Sequence, residues 1–220
     1  MCFIHILEEM EKLDDALADI NRVLKLVPEL TSARIDRSIL YLRQEKMDLA
    51  IADIQFLLGK NPDNIPLKMQ LANYYAIDHQ FAKALEIYDA LLKADSRNPD
   101  VLRARGDVYL RLGKHANAVK DLTQAVKLEP KDTASLNNLA WLYATATESA
   151  LKRPERALAL AERAAALSPR PHVLDTLAQC YFVNGRIAAA LAAAQKALQA
   201  AEKDRSYYES QLAKFRQALE

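Results

Sequence analysis

Histidine and cysteine are the side chains best suited to bind a metal or attack a substrate, and in this chain they are scattered. His5, His79, His115 and His172 each stand alone, with no pair at the i, i+4 spacing that puts two imidazoles on one helix face. His79 and His115 fall at turns between apolar stretches, where exposed polar residues are ordinary. Cys2 and Cys180 lie at opposite ends of the chain, so neither a disulfide framework nor a cysteine zinc site is expected. There is no Gly-rich phosphate loop, HExxH or GxSxG. The expectation is a protein that is not an enzyme, with no catalytic residue, no metal ligand and no cofactor.

Recognition is the chemistry left, and charge narrows the partner. Thirty basic residues oppose twenty-nine acidic ones in 220, a net charge of +1 that offers no electrostatic footprint for nucleic acid. No apolar run approaches the length of a membrane span. The opening MCFIHILEEMEK has neither a basic region nor a small-residue cleavage site, so it does not read as a secretory signal. A soluble cytoplasmic protein is expected, or a periplasmic one if an export signal precedes this sequence.

The elements that must carry any binding residues follow from a fixed period. Tyr41, Tyr75, Tyr109 and Tyr143 are 34 residues apart, and Ala16, Ala50, Ala84 and Ala118 share that interval. Pro28, Pro62 and Pro130 keep the same phase. With Thr31 taken as offset 1, offset 8 holds Ser38, Ala72, Gly106 and Ala140, all small. Five extra residues around 148–152 shift the next alanine to Ala157, after which Ala178, Tyr181 and Ala190 return to phase. Each repeat carries two stretches with helical apolar spacing, separated by a short break. Gly113 and Gly185 stand where a helix ends, suited to a left-handed cap, and the prolines stop the second helix. Only four glycines and an Ala-rich stretch at 187–201 support helix nearly throughout.

This pattern resembles the tetratricopeptide repeat (TPR) family: small at offset 8, aromatic at 11, Ala at 20, apolar at 24 and 27, Pro at 32. The segments LNNLAWLYA (136–144) and LDTLAQCYFVNGR (174–186) look like its first helices, whereas Arg37 and Arg105 depart from its usually apolar offset 7. The resemblance implies an all-α, right-handed superhelical solenoid of antiparallel helix pairs, about five and a half repeats. The repeats fall near 1–30 (partial), 31–64, 65–98, 99–132, 133–170 and 171–204, so the array spans 1–204. The stripe Tyr208, Leu212, Phe215 and Leu219 marks 205–220 as a capping helix. The chain opens in mid-repeat, with residues 1–13 supplying a shortened first helix. Apolar Phe3, Ile4, Ile6 and Leu7 could meet a second copy and give a homodimer. Close packing explains the small residues, since they let the paired helices approach while the ring fills the wedge between repeats. Cys180, at an offset otherwise held by Leu40, Tyr74, Val108 and Leu142, reads as a buried small apolar residue.

In such proteins the first helices line a concave groove that takes a peptide or partner domain. By resemblance the groove residues are Ile39, Arg43, Met69, Asn73, Arg103, Asp107, Arg111, Asn137, Asn138, Trp141, Asp175, Gln179 and Phe182. Asparagine can bond a peptide backbone in both senses, and Arg and Trp are frequent hot spots. Trp141 either reaches a partner or packs between repeats. Relatives that hold acidic chaperone C-termini use a clamp of Lys and Asn, then Asn, then Lys and Arg. Here those places read Arg103, Asp107, Asn138, His172 and Thr176, and Asp107 repels a carboxylate, so that clamp is absent.

The leading reading is a scaffold that binds a protein or peptide ligand, without nucleic acid or membrane insertion. The second is a regulatory or targeting arm of a larger enzyme or of an envelope or secretion assembly complex. A third, RNA binding by a related two-helix repeat, predicts a 35-residue period and basic groove residues, against the 34 residues found. The Ala-rich last third is bacterial in style.

Overall fold

A computed structural model describes the backbone of residues 3–218 and the side chains of 12–218. Among these there are twelve helices and no strand. The first helix of each complete repeat is α2 (Thr31–Arg43), α4 (Ile65–Ile77), α6 (Pro99–Arg111), α8 (Thr133–Thr145) and α10 (Pro171–Val183). The second is α3 (Met47–Lys60), α5 (Phe81–Ala94), α7 (His115–Leu128), α9 (Pro154–Leu167) and α11 (Ile187–Ala200). They are bracketed by α1 (Phe3–Leu26) and α12 (Arg205–Gln217). Two compact bodies hold them, Met1–Ala94 with α1 to α5 and Asp95–Glu220 with α6 to α12.

Helix starts recur with the period. Asn64, Asn98 and Asp132, each 34 residues from the last, accept the backbone N–H of Leu67, Val101 and Ser135 at 3.0, 3.1 and 3.0 Å. Each cap satisfies one of the orphan donors of a first turn. Helix ends recur too. Glu45, His79, Gly113 and Gly185 take left-handed φ of 58, 58, 67 and 72°. The next residue then returns its N–H to the carbonyl of the repeat tyrosine: Lys46 to Tyr41, Gln80 to Tyr75, Lys114 to Tyr109 and Arg186 to Tyr181, at 2.8–2.9 Å. That return bond is the long one of a Schellman ending. Even the fourth repeat keeps it, since Arg153 N–H reaches Tyr143 O at 3.1 Å across the five-residue insertion. The insertion is tied down as well, with His115 Nδ1 2.9 Å from Glu148 Oε2.

No such break exists in α1. The equivalent position is Glu11, in a run of helix formers, and the chain stays helical from Phe3 to Leu26. The expected shortened first helix over 1–13 is therefore corrected to the front of a single 24-residue helix. Phe3, Ile4, Ile6 and Leu7 have side chains outside the described residues.

Packing inside each pair follows the small residues. Ala50, Ala84, Ala118, Ala157 and Ala190 are 0% exposed, as are Ser38, Ala72, Ala140 and Ala178. Gly106 is the extreme case, because a Cβ there would meet Leu122 Cγ at 2.9 Å. The two arginines at offset 7 have an explanation in the second helices. Arg105 Nε and Nη2 bond the two oxygens of Asp121 at 2.7 and 2.8 Å, and Arg37 grips Asp53 in the same way at 2.7 and 2.6 Å. Asp53 and Asp121 are 3% and 2% exposed. The same two offsets carry Leu71 and Ile87 in the second repeat and Leu139 and Leu160 in the fourth. Two repeats thus fill with a forked ion pair the space that two others fill with hydrocarbon.

At the far end, α12 occupies the place of the first helix of a further repeat. Its thirteen residues start 34 after Pro171, and Phe215 stands at the ring offset with no exposed surface. Phe215 and Leu212 pack on Ala178, Ala190, Ala193 and Ala194. The all-α helical repeat fold is as expected.

Candidate functional site

The first helices of each body present their own set of polar and apolar residues. In the first body, Ile39 is 39% exposed, and Arg43 and Asp36 are also open. On α4, Met69 is half-buried, and Asn73 Oδ1 is already taken by Tyr88 Oη at 2.7 Å. Gln70 is turned to Tyr74 Oη at 2.9 Å, and Ser38 meets the same hydroxyl at 3.0 Å.

The second body carries a denser set on α6, α8 and α10. Asn138 Nδ2 donates to Asp107 Oδ1 at 2.6 Å, and Asn137 Nδ2 donates to Asn138 Oδ1 at 3.3 Å. Arg103 lies 3.2 Å from Asp100 and 3.5 Å from Asp132, the residue that caps α8. Arg111 is exposed on the last turn of α6. Trp141 keeps 37% of its surface open, one turn beyond Asn137 and Asn138.

Four expected groove residues are buried or engaged by other side chains of the chain. Asn137 and Asp175, both at offset 5, are 8% and 5% exposed. In the fourth and fifth repeats that offset is covered, whereas Arg103 at the same offset in the third keeps part of its surface open. Asp175 accepts from Tyr207 Oη on α12 at 2.9 Å, whereas one repeat earlier the position equivalent to Tyr207 is Val173, which has no hydroxyl to donate. Asn137 Oδ1 accordingly has no hydrogen-bond partner. Gln179 accepts from Lys214 Nζ at 2.8 Å, and the rings of Phe182 and Phe215 are 5.1 Å apart. These two are engaged by α12. The residues that sequence reasoning missed, Asp132, Tyr207 and Lys214, had one visible signal: the 34-residue ladder of caps that ends in Asp132.

Burial sets the electrostatics. Desolvation raises the Asp107 carboxyl above its ordinary range, with Asn138 and the guanidiniums of Arg103 and Arg111 pulling back. Asp175 is raised for the same reason, against Tyr207 and Lys214. Burial pushes the Cys180 thiol up to about 12, so it stays protonated at neutral pH, as suits a small core residue. Among the described residues no three His, Cys, Asp or Glu side chains gather as a metal site. None of the described helices is long and apolar enough to cross a membrane.

The raised carboxyl of Asp107 has a consequence for pH. The folded chain holds its proton more tightly than the unfolded chain, so this group favours folding below the ordinary carboxylate range. That contribution is lost as pH rises through the raised value. Asp107→Asn keeps an acceptor for Asn138 and removes the desolvated charge. Urea denaturation should show the variant slightly more stable at pH 7, with the advantage vanishing as pH falls toward about 4.

Comparison with known proteins agrees with the fold. The tetratricopeptide repeat profile matches residues 4–65, 69–125 and 104–171. The DnaJ homolog subfamily C member 3 of Bos taurus is 27% identical over 149 residues, 61% of this chain and 30% of that protein. The chain thus spans under a third of the length of that relative. A thermophilic TPR protein of Thermus thermophilus superposes with a TM-score of 0.68 at 23% identity, over 83% of this chain and 99% of that one. YrrB, a TPR protein described as having an unusual peptide-binding site, superposes at 0.58 with 18% identity, over 87% and 96%. Such proteins serve generally as protein–protein interaction scaffolds. With the 34-residue period, the helix pairs and the matched profile in agreement, the chain belongs to the tetratricopeptide repeat family.

Proposed function

We propose that this chain holds a peptide or partner domain on the face of its first helices, with α6 and α8 as the principal contact. The observation that carries this is Trp141. A large ring left 37% exposed beside a bonded Arg, Asp and Asn set is costly to leave in water and suited to anchoring a ligand. YrrB supports the reading, as a protein of similar fold described by its peptide-binding site. Arg103, Asp107, Arg111 and Asn138 complete the set open to a partner in this body. In the other body Ile39 and Arg43 are the open residues, and Met69 and Asn73 border them. A second reading places these repeats as a targeting arm within a larger enzyme or assembly complex. It is favoured by the greater length of the DnaJ relative, and uses the same face.

The test compares the wild-type chain with the triple variant Trp141→Ala, Asn138→Ala and Arg103→Glu. Partners captured from the native host by wild type are identified, and their affinities for both proteins are measured. Loss of a central anchor is expected to weaken binding at least about thirtyfold, the scale of one hot spot. Unchanged affinity sinks the assignment of the face.

A further inference from the structure

Resting on that reading, we infer that the α6–α8 face selects a basic side chain, lysine or arginine, from its partner polypeptide, seated between the Asp107 carboxylate and the Trp141 ring. The hydrogen-bond relay sets the sign. Asn137 donates to Asn138, and Asn138 donates to Asp107, so both asparagines spend an amide N–H within the face. What the relay presents at its open end is an acceptor, the Asp107 carboxylate, while the partnerless Asn137 Oδ1 at the other end is buried. A ligand that meets this face gains by bringing N–H donors.

Aromatic placement agrees. Asn138 lies 2.6 Å from Asp107 and three residues before Trp141 on the same helix, so carboxylate and indole flank one side chain. A carboxylate near a partly exposed indole is the combination that favours a cation, by charge and by the ring quadrupole. The positive groups nearby are not idle. Arg103 is shared between Asp100 and Asp132, Arg105 is turned away to Asp121, and Arg111 sits at the end of α6. Asp100, Asp107 and Asp132 thus stand against Arg103 and Arg111, and the local balance is acidic in a chain that is slightly basic overall. An acidic peptide end would meet a charge of its own sign in a partly desolvated place, which is costly.

Trp141 is the sole tryptophan, so intrinsic fluorescence of the full chain reports on this face without a label. The probe is an acetylated, amidated heptapeptide of serines and leucines with two lysines, set against its twin with glutamates for the lysines. The lysine peptide is expected to change Trp141 emission saturably and to bind at least about tenfold more tightly than the twin. Raised salt should weaken it. Asp107→Asn, which keeps the Asn138 bond, should lower its affinity roughly tenfold, and Asp107→Lys should reverse the preference. Equal binding of the twins, tighter binding of the glutamate peptide, or no emission change with either at millimolar concentration overturns the inference. The wider proposal falls only on the triple variant: if that variant loses its partners while the twins do not differ, the face binds ligands and the choice of a cation is wrong.

Discussion

Asp121→Ala is expected to lower the unfolding free energy by roughly 3 kcal/mol, whereas Arg105→Leu with Asp121→Leu should restore most of it. The argument starts from geometry. Both carboxylate oxygens of Asp121 are engaged by Arg105 at 2.7 and 2.8 Å, with the Asp side chain 3% exposed and the Arg side chain 19% exposed. Removing only the acid takes two short charge-assisted bonds and a facing carboxylate from a guanidinium with little water around it, and that loss is what costs most. The estimate sits at the low end of the range for broken buried pairs because Arg105 retains some solvent. Replacing both partners removes both desolvation costs. The chain itself contains the outcome, since Leu139 and Leu160 hold the same offsets in the fourth repeat. Urea denaturation of wild type, the single variant and the double variant decides it. A double variant no more stable than Asp121→Ala would mean that the pair contributes more than its space.

Phe215→Ala is the second large effect, about 3 kcal/mol, and it should be local. Phe215 is fully buried and joins Leu212 in holding α12 on Ala178, Ala190, Ala193 and Ala194. A 13-residue helix has little stability of its own, so its position depends on those two side chains with the Tyr207–Asp175 and Lys214–Gln179 bonds. In a repeat array each element answers mainly to its neighbours, so the end helix should detach before the rest unfolds. Amide exchange is the suitable measurement: rates over 205–217 should rise steeply while those of α6 to α8 change little. Release would also uncover Asp175, Gln179 and Phe182. Uniform acceleration throughout the second body would show instead that α12 is integral to one cooperative unit.

Both predictions turn on pairings that the repeat pattern only partly displays. Tyrosines and alanines at 34-residue intervals announce helix pairs because each requirement is local: a ring for the wedge, a small side chain for the approach, a glycine for the left-handed end. The same logic missed Glu45 and His79, which take that left-handed conformation without being glycine, and the cap ladder of Asn64, Asn98 and Asp132. Those caps were legible in principle, as polar residues in phase at helix starts. The continuous α1 was legible too, from a run without any breaker before Ala16.

The sequence by itself therefore determined the repeat, the antiparallel helix pairs and the core alanines. Tertiary structure decided what the polar residues do. Arg37 and Arg105 look like departures until Asp53 and Asp121, sixteen residues away, are seen across the pair. Asn137 and Asp175 carry polar side chains that the fold buries, Asp175 against Tyr207 of α12, while Trp141 keeps over a third of its surface exposed. The physical reason is one of range. Propensity and period are properties of neighbours in the chain, whereas the exposure of a polar side chain at a helix seam depends on which residue the next helix brings opposite it.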